Sequence, residues 1–159
     1  MAIKQKITPF LWFDKEAEEA ANHYISIFKN GRILDVSRYG EAGPGPAGSV
    51  MVIKFELAGQ HFIALNGGPH FKFTEAISMA VDCQSQEEVD ELWTKLSEGG
   101  APSQCGWLKD KYGLSWQIVP SRLPELMQSS DRAAASRVMA AMMKMTKIDI
   151  AELEKAAKG

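Results

Sequence analysis

The chain has 159 residues, of which 45% are hydrophobic and 24% charged, and its net charge is -2. That balance suits an ordinary soluble globular protein of one domain or two small modules, and the lack of a basic stripe argues against a nucleic-acid partner. No apolar run approaches the roughly 20 residues of a membrane helix, no apolar stretch marks a signal peptide, and two cysteines, Cys83 and Cys105, make no disulfide framework, so a reducing cytoplasm is the expected compartment.

ITPFLWF, residues 7–13, is rich in β-forming residues and reads as a strand. Alternation puts Ile7, Pro9, Leu11 and Phe13 on one face and Thr8, Phe10 and Trp12 on the other. Asp14 offers a helix cap, and Ala17, Ala20, Ala21, Tyr24 and Phe28 recur at helical spacing until Asn30-Gly31 stops the helix. RILDVSRYG is a second strand, EAGPGPAG (residues 41–48) a loop, and SVMVIKFELAG with QHFIALN two further strands. Asn66-Gly67-Gly68-Pro69 breaks the pattern.

The order then repeats. AISMAVDC, residues 76–83, is a strand. SQEEVDELWTKLSEGG is a helix with a capping box at Ser85 and Glu88 and an apolar stripe of Val89, Leu92, Trp93 and Leu96. CGWLKDKYGLSWQIVP, residues 105–120, supplies a hairpin around the turn Asp110 to Gly113, and a short extra strand fits near Ser103. The chain therefore reads β-α-β-β-β twice, a duplication in pattern without residue identity, and the two halves are expected to share one core. Residues 1–122 make this domain, as modules of about 1–70 and 71–122, and residues 123–159 a helical extension. In the extension Asp131 caps one helix and Asp149 with Glu152 another. Val138, Met139, Met142 and Met143 form an apolar side that Ile148, Ile150 and Leu153 continue, suited to packing on the domain or on a second copy.

With ITPFLWFD, EEAANHYISIF, FIALNGGP, Phe71-Lys-Phe73, CGWLKDKYGLSWQIVP and RVMAAMMKMTKIDIAELEKA in view, the chain resembles the vicinal oxygen chelate superfamily of glyoxalases, ring-cleaving dioxygenases and bleomycin-resistance proteins. It resembles most closely the PhnB-like branch, often labelled demethylubiquinone methyltransferase-like. The resemblance implies an α+β, glyoxalase-like fold: two βαβββ modules forming a curved mixed sheet around a cavity, helices outside, and a homodimer. It assigns the superfamily's metal positions to Ile7 or Pro9, to Ala64, to Ala76 with Ser78 two residues on, and to Gln117. A divalent metal needs several converging N, O or S ligands, and this set offers little beyond one amide, so no metal or other cofactor is expected there.

The candidate binding residues are Phe62, Asn66, Ser78, Cys105, Trp107 and Gln117. Period-two alternation sends Leu114, Trp116 and Ile118 one way and Ser115, Gln117 and Val119 the other. If the first set meets the helices, the second lines the cavity, where Gln117 orients a carbonyl or hydroxyl or is satisfied by backbone. Phe62, Ala64 and Asn66 share the supposed cavity face, with Asn66 either a ligand contact or a turn residue. Cys105 is either a nucleophilic or redox thiol or a small buried hydrophobe. His23, His61 and His70 make no i, i+4 metal motif, and His61 points away from the supposed cavity. Neither glycine-rich stretch leads into a helix, so neither fits a Rossmann-type S-adenosylmethionine site. The expected activity is metal-free binding of a small, partly apolar or aromatic molecule. The alternative is an enzyme: a methyltransferase, or a lyase or isomerase related to glyoxalases. No nucleic-acid or membrane partner is expected.

Overall fold

In the computed structural model, which describes residues 4–159, the chain is α+β. It divides into two compact units, residues 1–72 and 73–159. The first holds β1 (Phe10–Phe13), α1 (Ala17–Ile27), β2 (Arg32–Arg38), β3 (Val50–Leu57) and β4 (Gln60–Asn66). The second holds β5 (Ser78–Cys83), α2 (Gln86–Ser97), β6 (Ala101–Pro102), β7 (Trp107–Lys109), β8 (Ser115–Pro120), and then α3 (Arg122–Met127), α4 (Arg132–Met142) and α5 (Ile150–Lys158). Each unit has a four-stranded mixed sheet of the same order, β1-β4-β3-β2 and β5-β8-β7-β6, with the outer pair β1/β4 or β5/β8 parallel. The short strand expected near Ser103 is β6; α3 was not foreseen.

Register fixes the faces. Leu11 stands opposite Ala64, and Ala64 opposite Ile53; Phe62 stands opposite Phe55. Tyr24 of α1 stacks on Phe55 at 6.4 Å between centroids, and Phe55 stacks on Phe62 at 5.5 Å. Phe62, Ala64 and Asn66 therefore look toward α1, and the open face of this sheet carries Trp12, Val52, Ile63 and Leu65. This corrects the face assigned to Phe62 and Asn66. Alternation says which residues share a side, and only packing says which side the helix covers. His61 consequently lies on the open face, at its edge, where Nε2 meets Glu56 Oε1 at 3.1 Å.

In the second unit α2 packs on β8 and β7. Leu114, Trp116 and Ile118 are buried with Val89, Leu92 and Leu96 of α2, as the spacing foretold. The tail builds its own core from Leu123, Leu126, Val138, Ile148 and Leu153, with Val119, Met142 and Met145 packed against it. Met139 and Met143 remain exposed. Asp131 and Asp149 cap α4 and α5 by accepting from Ala134 N and Glu152 N. Among the described residues no helix is long and apolar enough to cross a membrane.

Candidate functional site

The first unit uses its polar groups to hold itself together. Asp14 does not cap α1. Asn66 does so from the far end of β4: its Oδ1 accepts from Ala17 N at 2.8 Å, and its Nδ2 donates to Val50 O at 3.0 Å. Tyr39 Oη donates to Asn66 O at 2.5 Å. A cavity of about 410 Å³ lies beside these groups, with Lys15 and His70 on its wall. Its two glycine segments have packing explanations. A Cβ at Gly45 would run into the Tyr39 ring, and one at Gly67 into the Trp12 indole, whose Nε1 donates to Gly68 O at 2.9 Å.

The second unit arranges its polar groups differently. Ser78 stands opposite Ser115 on β8, Ala80 opposite Gln117, Trp107 opposite Gln117, and Lys109 opposite Ser115. One face therefore carries Ser78, Trp107, Lys109, Ser115 and Gln117, away from the side that α2 covers. Gln117 Nε2 donates to Ser78 Oγ at 2.9 Å, and both residues are half-buried. Lys109 Nζ is ion-paired with Glu75 in the loop before β5. This bridge holds the Glu75 carboxyl below the usual carboxylate range, first through the Lys109 hydrogen bond. A cavity of about 250 Å³ at this end is lined by Glu75, Trp107, Lys109 and Ser115 together with Ala101 and Pro102 of β6. Ser115 is only 1% exposed, and its hydroxyl has no hydrogen-bond partner.

The hairpin turn is held by a residue the sequence marked only for its turn position. Asp110 is 2% exposed. Its carboxylate accepts from Tyr112 N, Leu114 N and, at 2.9 Å, Trp116 Nε1. That locks Trp116 on the helix side and leaves Ser115 and Gln117 on the other.

Of the six candidates, the structure brings Ser78, Trp107 and Gln117 together. Phe62 and Asn66 are committed to the core and cap of the first unit. Cys105 sits outside β7, in a left-handed turn at φ 57°. The tail holds that turn, with Cys105 N donating to Met145 O and Gly106 N to Thr146 O, each at 2.8 Å. Cys83 is fully buried, and desolvation pushes its thiol up to about 12. Lys109 is missed as a site residue, and Ser115, placed on the cavity face by alternation, is not among the six. Their signal was present: both share the parity of Gln117 and Trp107.

The duplicated βαβββ units define a glyoxalase-fold protein. The family model described as 3-demethylubiquinone-9 3-methyltransferase matches residues 5–119, and the chain belongs to that PhnB-like family. It is 42% identical to a structure described as a putative 3-demethylubiquinone-9 3-methyltransferase, PhnB protein, of Bacillus cereus, with TM-score 0.68 over 74% of this chain and all of that one. A protein of Pseudomonas aeruginosa is 20% identical, with TM-score 0.62 over 74% of this chain and 98% of that one. A mutant of the fosfomycin resistance protein FosX of Listeria monocytogenes, complexed with Mn(II) and a dihydroxypropylphosphonic acid, is 15% identical, with TM-score 0.52 over 72% of this chain and 90% of that one. These last two likenesses show the fold alone. No curated protein matches the chain.

The donor set here does not fit such a metal ion. Ala64 lies under α1, Ala76 precedes β5 in an exposed loop, and Gln117 and Ser78 offer one amide and one hydroxyl. Among the described residues no three His, Cys, Asp or Glu side chains gather.

Proposed function

We propose that the chain binds a small, partly apolar or aromatic molecule on the open face of its second sheet, without a metal. The observation that supports this most directly is the Gln117–Ser78 hydrogen bond beside the half-buried Trp107. Small-molecule sites are commonly built this way, from apolar wall with a few fixed polar groups. Gln117 has its amide oriented by Ser78, which leaves its carbonyl oxygen to accept from a ligand. Trp107 supplies a ring face for an apolar body. The cytoplasm is the proposed compartment and a homodimer the proposed state; a monomer in sedimentation at micromolar concentration would remove the dimer.

The test is an NMR titration of the full chain with small aromatic fragments, alongside native mass spectrometry and metal analysis of the purified protein. The expected result is shifts at the Trp107 indole and the Gln117 side-chain amide, with no stoichiometric metal. Fragment shifts confined to the first unit, or one metal ion per chain, would overturn the reading.

The family's own description favours a second reading, methyl transfer. Gly43 and Gly45 lie against Tyr39 and Gly67 against Trp12, and neither glycine segment leads into a helix, so they lend no support to an S-adenosylmethionine site. Calorimetry with S-adenosylmethionine separates the two readings: measurable binding favours the enzyme.

A further inference from the structure

We infer, building on that binding reading, that the open face of the second sheet ends in a subsite for a carboxylate, made by Lys109, Ser115 and Ser78, and that Glu75 occupies Lys109 in the ligand's place. The Ser115 hydroxyl is the first ground. It is buried at 1% exposure, it lines the cavity, and it has no partner. Buried hydroxyls are nearly always paired, and leaving one unpaired costs stability. A partner that arrives with a ligand satisfies it.

The second ground is the chemistry of its neighbours. Ser78 and Lys109 flank Ser115 across β5 and β7 on the same face, each with Cβ about 5 Å away in ordinary cross-strand geometry. Lys109 can only donate. Ser78 Oγ already accepts from Gln117, which leaves its own O–H to donate. The hydroxyl of Ser115 has no acceptor of its own. The strands thus present three donors and one positive charge. The acid on this face, Asp82, lies at the far end of β5 and is engaged by Ser121 and Gln84.

The third ground is Glu75. It stands in an exposed loop, its side chain 61% exposed and that of Lys109 41%. An ion pair between side chains so exposed contributes little and is readily exchanged. A ligand carboxylate that replaces Glu75 keeps Lys109 paired and adds Ser115, whereas a neutral alcohol would have to reach Ser115 past an intact bridge. The cavity, about 250 Å³, suits a compact acid or the head of a larger one, and Trp107 lies next along β7 to take its apolar part.

The experiment titrates sodium benzoate and its neutral counterpart benzyl alcohol, at matched ionic strength, into the wild-type chain, Glu75→Gln and Ser115→Ala. Benzoate is expected to bind roughly tenfold more tightly than benzyl alcohol. Glu75→Gln is expected to tighten benzoate several-fold and benzyl alcohol much less, since only the carboxylate gains the freed Lys109 charge. Ser115→Ala is expected to weaken benzoate about fivefold while raising the melting temperature by roughly 2–4 °C, because it removes an unpaired buried hydroxyl. Benzyl alcohol matching benzoate, or benzoate indifferent to Glu75→Gln, overturns the carboxylate subsite and leaves small-molecule binding standing. Failure of both probes to shift any residue of this face rejects the binding reading with it.

Discussion

The two units share one strand order and differ in what they do with the end of their central strand. Measured from the parallel pairing, Asn66 of β4 and Pro120 of β8 hold the same place, opposite Phe13 and Cys83. Asn66 reaches across to cap α1. Pro120 has no side-chain amide, and α2 carries its own cap instead, Ser85 Oγ accepting from Glu88 N at 3.1 Å. Three positions earlier Ile63 corresponds to Gln117, so the open faces differ at that matched place as well: apolar in the first unit, an amide in the second. At these places the first unit spends its amide on its own helix cap, and the second turns one toward the open face. One topology thus accommodates a helix capped from the end of the sheet and a helix capped from its own start.

The largest effect should come from setting a helix-covered face against an open one. Phe62→Ala opens the Tyr24–Phe55–Phe62 stack and is expected to cost about 3–5 kcal/mol. Gln117→Ala on the open face is expected to cost about 1 kcal/mol or less. Urea denaturation compares them, and equal losses would mean the two faces are not distinct. Next comes the cap. Asn66→Ala removes an acceptor and a donor used by two segments and is expected to cost about 1–3 kcal/mol. Ser85→Ala is expected to cost about 1 kcal/mol. Hydrogen exchange at the first turn of each helix reports which end has loosened, and a smaller loss for Asn66 would contradict its double role.

The smallest effect is electrostatic. Glu56 in the first unit, held by Arg32 and then His61, and Glu75 in the second, held by Lys109, both have their carboxyls lowered from 4.5. A lowered carboxylate stabilises above its unfolded pKa and loses that contribution as pH falls through the folded value. The melting-temperature difference between wild type and either Glu→Gln variant should be small and constant from pH 8 to about 5, then shrink progressively as pH falls below the ordinary carboxylate value of about 4.5. A difference that grows on acidification would reverse the sign of both bridges.

Much of this fold is legible in the sequence, because the relevant information is local. Ala17, Ala20, Ala21 and Tyr24 at helical spacing, Ser85 three residues before Glu88, and Asp110 three before Gly113 each decide their own neighbourhood. The errors arose where the deciding contact is remote. Asp14 is close to α1, yet the cap comes from Asn66, 49 residues beyond the helix start. Phe62 and Asn66 were grouped correctly with Ala64 and then turned to the wrong side, since β alternation carries no sign until a helix covers one face. Gln117 and Ser115 follow from parity and Ser78 from the resemblance, while the burial of the Ser115 hydroxyl without a partner is not legible, because serine in a strand gives no sign of it.

The tail adds a consequence in time. The turn at Cys105–Gly106, which starts β7, rests on Met145 and Thr146, and Gln86 near the start of α2 donates to Ile148 O and accepts from Ile150 N. None of those later residues lies within the family-matched span of 5–119. The first unit is complete by residue 72. At ordinary elongation rates the second lacks its braces for on the order of ten seconds more. The first unit can therefore be finished on the ribosome while the second still waits for the last stretch of its own message.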